Sequence, residues 1–436
     1  MSALRQFLYI SPYFPPQSRV GALRPLKFAR HLPAWGWSPV VLCDLWPSAD
    51  VNPELNAAIP DSTVIIRDYS ARARRAEAAL TTPPRPADAA QARPRRRGKL
   101  AAWASGALTL PRWLDNPELI PLGEHSVHMP HALKAARRAL SAQPRCEAIV
   151  VNADPYAALL VGAKLARETG LPLIQDLRDP WAVCELRRPR RPTPILQIVD
   201  RLERAAFDPA ARIILNTETT LRDTLAHYPD MPPSRFACIR NHGDAGLIGA
   251  GHHPGFDRFT LLFLGNFRRF VEGDILLDLL AALQRRGLDH RDLQLVITGA
   301  FPQETRALAR LKGVEAMLSD HPFVPYSEIG AVMSAADLLV ALSNRTTQRI
   351  PAKFYDYALT GRPILALADN PEFGDLVSQS GGAIFGLDEP EAAAAHVHAL
   401  ITRGRAQIIE RRPLGLSSEE ASGALAAILD EVTRRR

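Results

Sequence analysis

The sequence predicts an α/β protein with two doubly wound parallel sheets. Short runs of β-branched residues alternate with amphipathic segments of helical length along most of the chain, as parallel α/β folds require. The chain has 436 residues, too many for one ordinary core, which indicates two domains of about 200 residues each. Between its halves, at residues 240–257, Gly, His and Pro replace the periodic residues and mark a joint.

Six strands are predicted in the first half and five in the second, with helical segments between them. The first six are FLYIS (7–11), PVVLCD (39–44), TVIIRD (63–68), AIVVNA (148–153), PLIQDL (172–177) and RIILNT (212–217). The others are TLLFLGN (260–266), LQLVITG (293–299), DLLVALS (337–343), PILALAD (363–369) and GAIFG (382–386). Doubly wound folds bind ligands at the carboxyl ends of their strands, so functional residues are expected in the loops that follow strands.

Cysteine usage and hydropathy exclude several classes of protein. The four cysteines are scattered without a CxxC pair, so neither a disulfide framework nor a zinc site is indicated. The segment around FLYIS lacks the apolar length of a signal peptide. No window approaches the ~18 apolar residues that span a bilayer. We therefore expect a cytoplasmic protein.

The basic excess of the chain is concentrated in one Pro- and Ala-rich stretch. The formal net charge is +7, and residues 72–99 hold many of the cations: Arg72, Arg74, Arg75, Arg85, Arg93, Arg95, Arg96, Arg97 and Lys99. Nucleic acid is not the expected partner, because no recognised binding motif accompanies them. Anionic lipid headgroups are favoured, since Trp103 and Trp113 follow closely. An Arg-rich solvated loop explains the same composition equally well.

The loop after the first strand, SPYFPPQSRVGALRPLKFARHL, leads into a helix predicted to begin near Val20, with Gly21 in its first turn. A glycine there permits close approach of a ligand, and the unpaired N–H groups of the helix start attract an anion such as phosphate. Both a GxGxxG pattern and a Walker lysine are missing, and a Gly-Ala pair at a helix start more often reflects ordinary packing.

The segment PLIQDLRDPW (172–181) is a predicted buried strand whose end brings Asp176, Arg178 and Asp179 together. Mixed charges at the mouth of a parallel strand bind sugar hydroxyls or act on a reacting centre. A structural ion pair between Arg178 and one of the two aspartates explains the same residues.

A third loop leads into TTQRIPAKFYDYALTGRPILAL (346–367), in which Pro351 suits the first position of a helix. Lys353 then lies in the first turn, beside N–H groups that favour a phosphate, and Asp356 lies one turn further along. A carboxylate at that depth accepts hydrogen bonds from a ribose diol, and Gln348 both donates to and accepts from sugar hydroxyls. A solvated helix start with a capping carboxylate is the alternative, and it is the better explanation of this stretch taken by itself.

These three loops, in this order, resemble those of the family 4 glycosyltransferases, which are retaining enzymes of the GT-B architecture with two Rossmann-like domains facing a cleft. The similarity covers nearly the whole chain and includes LKFARHLPAWGW, DLRDPW, RLERAAFDPAARIILNT, IRNHGD, FLGNF, VPYSEIGAVMSAADLLVAL and PAKFYDYALTGRPILAL. The branch with an Asp-x-Arg-Asp-Pro-Trp segment is similar to enzymes that extend lipid-linked polysaccharide or O-antigen precursors.

The resemblance implies roles for residues of the first two loops. It places Gly21 near the donor diphosphate and the transferred sugar, and it assigns catalytic roles at the cleft to Asp176, Arg178 and Asp179.

In the third loop the resemblance implies donor binding by Gln348, Ile350, Lys353 and Asp356. The paired glutamates of the family fall on Gln348 and Asp356. The aspartate keeps the charge, whereas the glutamine keeps hydrogen bonding without a negative charge.

A further departure concerns the loop GNFRRFVEGD, where the family commonly clamps the diphosphate with an Arg and a Lys. Asn266 occupies the arginine position, and Glu272 or its neighbour occupies the lysine position. Charge-assisted contacts contribute roughly 1.5–3 kcal/mol each, so losing two weakens donor binding about a hundredfold or more. We expect Arg268 or Arg269, helped by Lys353, to replace this clamp.

The resemblance also implies the domain boundaries. An acceptor-side Rossmann-like domain covers residues 1–240, with a basic insertion at 72–130. A linker at 241–257 leads to the nucleotide-sugar-binding domain at 258–412. Residues 413–436 form a helix that packs back on the first domain.

The expected activity is transfer of a sugar, with retention, from a nucleoside-diphosphate sugar to a lipid-linked saccharide in polysaccharide or glycoconjugate biosynthesis. No cofactor or metal is expected, because cations and helix termini stabilise the leaving diphosphate. The protein is expected to be peripheral at the inner face of the cytoplasmic membrane. Two alternatives are a degenerate GT-B scaffold that binds or regulates a partner, and a sugar-nucleotide epimerase.

Overall fold

The computed structural model describes residues 3–18, 20–44, 51–71, 121–153, 155–265, 274–343, 345–404 and 414–434. The chain forms two compact units, each with its own core. Unit 1 consists of Met1–Asn216, Leu221–Cys238 and Gly423–Arg436, and unit 2 consists of Thr217–Thr220 and Ile239–Ser422. No helix in the described ranges is both long and apolar enough to cross a bilayer.

Unit 1 contains a parallel sheet of seven strands in the order β3-β2-β1-β4-β5-β6-β7. The strands are β1 (Arg5–Ile10), β2 (Trp37–Cys43), β3 (Val64–Arg67), β4 (Cys146–Ala153), β5 (Leu173–Leu177), β6 (Ala210–Leu215) and β7 (Phe236–Cys238). Most are continuous apolar runs because helices cover both faces of such a sheet. Their carboxyl ends lie at one edge, where the first two candidate loops emerge.

The described helices of unit 1 cover this sheet. They are α1 (Val20–His31), α2 (Met129–Ala142), α3 (Ala157–Thr169), α4 (Thr193–Phe207), most of α5 (Glu218–His227) and the C-terminal part of α13 (Ser418–Arg434). Helix α3 packs so closely on β4 that a Cβ at Gly162 would lie 2.3 Å from Cγ2 of Val151. Helix α13 is attached to the first two strands through Asp430, which accepts hydrogen bonds from Arg5 Nη1 (2.7 Å) and Trp37 Nε1 (3.1 Å).

Unit 2 contains a parallel sheet of six strands in the order β10-β9-β8-β11-β12-β13. The strands are β8 (Phe259–Phe263), β9 (Leu293–Thr298), β10 (Leu318–His321), β11 (Leu338–Leu342), β12 (Ile364–Leu367) and β13 (Ala383–Phe385). The helices are α6 (Ala245–Ile248), α7 (Asp274–Arg285), α8 (Gln303–Leu311), α9 (Ile329–Ala335), α10 (Ala352–Tyr357), α11 (Pro371–Gln379) and α12 (Pro390–Thr402). Two apolar clusters, one on each face of the sheet, form its core.

The predicted fold class, two doubly wound parallel sheets, is confirmed. All eleven predicted strands are present with end shifts of one or two residues in most cases. The prediction missed β7 and β10, because FAC is too short and LSDH too polar to show an apolar run. The predicted basic stretch with Trp103 and Trp113 lies outside the described residues, as do Asn266, Arg268, Arg269 and Glu272.

Candidate functional site

The third candidate loop, which joins β11 to α10, is held by side chains of unit 2. Asn370 Nδ2 donates to the carbonyl oxygens of Thr346 (3.3 Å) and Arg349 (3.0 Å), and Ser343 Oγ donates to the same Arg349 carbonyl (3.1 Å). The Oδ1 atom of Asn370 accepts from Phe373 N and thereby caps α11. One buried amide thus fixes both the loop and the start of the next helix.

Gln348 is buried within this loop, with 4% of its surface exposed. Its backbone carbonyl accepts hydrogen bonds from Thr217 Oγ1 (3.2 Å) and Thr220 Oγ1 (3.4 Å). Both threonines belong to the four-residue segment Thr217–Thr220 of unit 2. The position of Gln348 is therefore set by hydroxyl groups more than 120 residues earlier in the sequence.

The segment Thr217–Thr220 is itself anchored by Glu372 at the start of α11. The two carboxylate oxygens accept from Glu218 N (2.9 Å) and Thr219 N (2.8 Å), and Arg240 forms an ion pair with one of them (3.0 Å). Although burial acts in the opposite direction, these amide donors and Arg240 lower the pKa of Glu372. The carboxylate is thus held in its charged form, which caps the N-terminus of α5 by accepting from Glu218 N and Thr219 N.

Helix α10 lies against the end of β8. Lys353, in its first turn, places Nζ 3.4 Å from the ring centroid of Phe263, a cation–π contact. Gly265 adopts a φ of 111°, and a Cβ at this residue would lie 3.3 Å from Lys353 Nζ. Tyr357 OH accepts a hydrogen bond from Leu264 N (2.9 Å). The backbone conformation therefore favours glycine at 265, where a Cβ would also come close to the ammonium group.

Asp356 is buried on the same helix, with 7% of its surface exposed. The phenol of Tyr326 lies between its carboxylate oxygens, with OH 3.1 Å from Oδ1 and 3.0 Å from Oδ2. Ile350, which the resemblance also assigned to donor binding, packs in the apolar cluster with Phe354. The structure thus brings Gln348, Ile350, Lys353 and Asp356 together in one unit.

In unit 1 the structure gives Asp176 a partner that the sequence analysis did not consider. Arg24, on α1, donates from Nε to Oδ2 (2.9 Å) and from Nη2 to Oδ1 (2.8 Å) of Asp176. Both side chains are almost fully buried, at 3% and 2% exposure. Burial disfavours the charge on Arg24, but the adjacent carboxylate outweighs burial and raises the pKa of the guanidinium. The pair is therefore a buried, bidentate ion pair.

Gly21 lies in the first turn of α1, as predicted. Its carbonyl oxygen accepts from Asn152 Nδ2 (3.3 Å), which also donates to Ser11 Oγ (3.3 Å). Asn152 is the register partner of Asp176 across β4 and β5. The start of α1 is thus attached to β4 through Asn152 and to β5 through the Arg24 ion pair, so the first two candidate loops share one support.

Arg178 and Asp179 follow β5 and contact each other, with Nη2 3.4 Å from Oδ2. Both side chains are partly exposed, at 18% and 29%. The structural ion pair considered from the sequence thus exists between these two neighbours, whereas Asp176 pairs with Arg24. Arg178 and Asp179 remain candidates for contact with a ligand, and Asp176 serves to position the strand end.

The turn after Asp179 is held by Glu203, on α4. Its carboxylate accepts from Ala182 N (3.1 Å) and Tyr228 OH (2.8 Å). Burial raises the pKa of Glu203 to about 7, although the hydrogen bonds from Tyr228 and Ala182 act in the opposite direction. Trp181 stacks on Tyr156 at a centroid distance of 4.9 Å. The loop after β5 is therefore held by a hydrogen bond from its backbone to the buried, titratable carboxyl group of Glu203.

Sequence reasoning missed several residues that support the candidate loops. Arg24 stands three residues after Gly21, and Tyr326 lies in the quoted segment VPYSEIG, but neither position carries a local signal of its role. Glu203 is an acid on the buried face of an amphipathic helix, a signal that could have been noticed.

Comparison with known proteins supports a relation to glycosyltransferases. Residues 258–403 match the family model of glycosyl transferases group 1. D-inositol 3-phosphate glycosyltransferases are similar over part of their length: the protein of Corynebacterium aurimucosum is 26% identical over 240 residues, 50% of this chain and 55% of that protein. The chain thus spans about half the length of the relatives it matches.

Solved structures resemble the whole chain in fold. The structure of HepE of Anabaena in complex with UDP-glucose superposes with a TM-score of 0.54 at 13% sequence identity. The alignment covers 99% of this chain and 98% of the HepE chain. Sucrose-phosphate synthase of Thermosynechococcus elongatus has a TM-score of 0.59 at 13% identity, with coverages of 99% and 97%. This chain therefore has the GT-B fold of two Rossmann-like domains, and its second half matches the group 1 glycosyltransferase domain.

Proposed function

We propose that this protein is a glycosyltransferase that moves a hexose-type unit from a nucleoside-diphosphate sugar to a saccharide acceptor. The observation that carries the proposal is the contact between α10 and the end of β8, where Lys353 lies beside Gly265. This cation lies at the carboxyl edge of a doubly wound sheet, where such folds bind nucleotides. The match of residues 258–403 to group 1 glycosyltransferases supports the same assignment.

The chemistry requires stabilisation of a departing nucleoside diphosphate. Lys353 supplies a positive charge beside the chain at Gly265, where the missing side chain lets a phosphate approach the backbone. Arg268 or Arg269, three and four residues after Gly265 in the sequence, replaces the Arg and Lys clamp of the family with help from Lys353. No divalent metal is then required, and turnover with EDTA present tests this point.

The ribose and sugar hydroxyls are recognised by the remaining residues of the third loop. Asp356 provides a carboxylate for the ribose diol, and Gln348 provides hydrogen bonds to a sugar hydroxyl without a negative charge. By the resemblance, Arg178 and Asp179 in unit 1 act on the transferred sugar or the acceptor, and Gly21 has a role in binding the donor. The transfer proceeds with retention, which the anomeric coupling constant of the product in proton NMR tests directly.

The acceptor is a lipid-linked saccharide at the cytoplasmic face of a membrane. The relatives named above act, by their names, on D-inositol 3-phosphate, so an acceptor screen must include phosphorylated polyols. Product formation with a polyprenyl-linked saccharide, and none with an inositol phosphate, is the expected result. Sedimentation with vesicles of anionic or neutral lipid tests the membrane partner.

The decisive experiment is calorimetric titration of the protein with UDP, GDP and their sugars. Binding near micromolar concentration, about −8 kcal/mol, is expected for at least one of them. Lys353→Ala should weaken this binding about ten- to a hundredfold, because a charge-assisted contact is lost. Lys164→Ala, which changes an exposed lysine on α3, is the matched control. Absence of any nucleotide binding by the unaltered protein would instead support a degenerate scaffold.

A further inference from the structure

The turn at residues 180–184, directly after the two charged residues that follow β5, is held by side chains from other parts of unit 1. Tyr156 OH donates to Pro180 O (2.8 Å), and the same ring stacks on Trp181. Arg191 Nη1 donates to Trp181 O (3.2 Å). Backbone carbonyl oxygens that strand or helix partners would satisfy elsewhere are thus satisfied here by side chains.

Glu203, on α4, supplies the carboxyl group among these supports. One oxygen accepts from Ala182 N (3.1 Å), and the other accepts from Tyr228 OH (2.8 Å). The carbonyl of Ala182 accepts from Arg188 Nη1 (3.0 Å), so both polar groups of this peptide residue are held. Glu203 is 2% exposed and is therefore too buried to touch a ligand itself.

The position of Ala182 is transmitted to the charged residues before it. Strand β5 ends at Leu177, so Arg178 and Asp179 are no longer held by the ladder of the sheet. Only three Cα–Cα steps separate Asp179 from Ala182, and Pro180 lies between them. The proline ring restricts its own φ and the backbone of the residue before it. A displacement of Ala182 is therefore carried to Asp179 rather than absorbed by the turn.

The charge state of Glu203 depends on three groups that face it from α4, from the turn before α4 and from the residue after α5. Burial raises the pKa of Glu203 to about 7, and Asp200 acts in the same direction, whereas the hydrogen bonds that it accepts act in the opposite direction. Burial and the carboxylate of Glu203 raise the pKa of Tyr228, so the phenol stays a donor. Glu203 also acts to raise the pKa of Arg191, which burial lowers. Glu203 therefore changes its charge near neutral pH, and this change provides a signal by which its contact with the turn can be followed.

We propose that Glu203 is a positioning residue for the transfer reaction. Its hydrogen bond to Ala182 N fixes the turn after β5. That turn sets the positions of Arg178 and Asp179, which act on the transferred sugar or the acceptor. The inference rests on the proposed function, since that function gives these two residues their role. Loss of the carboxyl group leaves Ala182 N and Tyr228 OH buried without this acceptor.

The first test compares Glu203→Leu with Glu203→Gln. The turnover number kcat is measured as release of UDP from UDP-glucose or of GDP from GDP-mannose, and the affinity for UDP or GDP is measured by calorimetry. Glu203→Leu should lower kcat about 10- to 100-fold, the range for a buried donor left without its acceptor. It should leave the nucleotide affinity unchanged, because Lys353 and its loop belong to unit 2. Glu203→Gln should retain most of the rate, since its amide oxygen still accepts from Ala182 N.

The second test follows Trp181, which precedes Ala182, by fluorine NMR of protein labelled with 5-fluorotryptophan. The chain has six tryptophans, and Trp181→Phe identifies the resonance. In the unaltered protein this resonance should shift with a midpoint near pH 7, and Glu203→Gln should abolish the shift. Tyr228→Phe should move the midpoint to higher pH, because the hydrogen bond from the phenol lowers the pKa of Glu203. A residue that only fills space would produce neither change.

Glu168→Gln is the matched control, because it removes a carboxylate of α3 that pairs with Arg137 (2.7 Å) and not with the turn. It should change neither kcat nor the midpoint of the Trp181 titration. If the unaltered protein binds UDP or GDP but Glu203→Leu keeps the full kcat, the inference is wrong and the proposed function stands. A Trp181 titration that persists in Glu203→Gln overturns the inference in the same way.

The remaining outcomes also decide. If the unaltered protein binds no nucleotide and turns over neither sugar nucleotide, the proposed function fails and this role fails with it. Where UDP or GDP binds without measurable turnover, the Trp181 titration decides alone. A Glu203→Leu protein that fails to fold is recognised by circular dichroism, and Tyr228→Phe then decides. A kcat lowered about two- to tenfold, the range of one hydrogen bond, supports the inference, and an unchanged kcat overturns it.

Discussion

Glu203 should make the stability of this protein depend on pH in a direction opposite to that of a salt-bridged acid. Its carboxyl group is 2% exposed, and burial raises its pKa from 4.5 to about 7. Between these values the folded protein holds a proton that the unfolded chain has released. Stability from this group is therefore fully present below about pH 4.5 and is lost as pH rises through about 7.

The magnitude follows from the size of the pKa shift. A rise of about 2.5 pKa units corresponds to about 3 kcal/mol at 1.36 kcal/mol per unit, the difference between pH well below 4.5 and pH well above 7. Glu203→Gln removes the titration and keeps the shape. The amide oxygen can accept from Ala182 N, and the amide nitrogen can donate to Tyr228 OH, which then acts as the acceptor.

Urea unfolding of both proteins between pH 4 and 8.5 measures the effect. The difference in unfolding free energy, variant minus unaltered protein, should rise by about 3 kcal/mol across this range, because only the unaltered protein must ionise a buried acid. Tryptophan fluorescence and circular dichroism should both be followed, since two units do not necessarily unfold in one step. Glu54→Gln, at an exposed residue of the same unit, should show no such trend. Parallel pH curves for the Glu203→Gln variant and the unaltered protein would refute the reasoning.

Three other changes test the supports of the candidate loops. Asp176→Ala should destabilise the fold by about 3–5 kcal/mol, since it leaves Arg24 charged and buried; a urea midpoint unchanged from the parent would contradict the ion pair. Gly265→Ala should lower the free energy of unfolding by on the order of 1–3 kcal/mol, because φ at this residue is 111°. It should also weaken UDP binding in the calorimetric titration described above. Unchanged stability together with unchanged UDP affinity would show that the loop relaxes. His253 Nε2 lies 3.2 Å from His321 Nε2, and burial together with the neighbouring imidazole lowers the pKa of His253. The folded protein then binds a proton less readily than the unfolded chain, so stability should fall as pH drops below about 6.5. His253→Gln should flatten that part of the curve of melting temperature against pH, and an unchanged curve counts against the contact.

Several parts of the candidate site were accessible from local sequence. The helix start at Gly21 and the loop before Lys353 both follow strands whose apolar runs are visible in the sequence, and both are observed where predicted. Helix α10 is shorter than predicted and ends at Tyr357, because the following residues form turns before Gly361 at a φ of 71°. An αL glycine after a helix is a signal that local sequence does contain, although the exact last residue depends on packing.

The roles of charged residues were less accessible. Asp176 and Arg178 are grouped in the sequence because they are only two residues apart. In a continuous strand they would point to the same face, but β5 ends at Leu177, so Arg178 no longer follows the alternation of the strand. The partner of Asp176 is Arg24, 152 residues earlier. Asp356 likewise accepts from Tyr326, 30 residues away, on a turn that shows no periodic signal.

The sequence alone determined the alternation of strands and helices, the division into two doubly wound sheets and the loops in which polar residues accumulate. These features follow from near-neighbour geometry, since the periods of 2.0 and 3.6 residues are properties of a single strand or helix. Only the tertiary structure decided that Arg24 neutralises Asp176, that Tyr326 orients Asp356 and that Glu203 is buried beneath the loop after β5. Such pairings depend on strand order and helix docking, which bring distant residues within 3 Å of each other, and no local period encodes them.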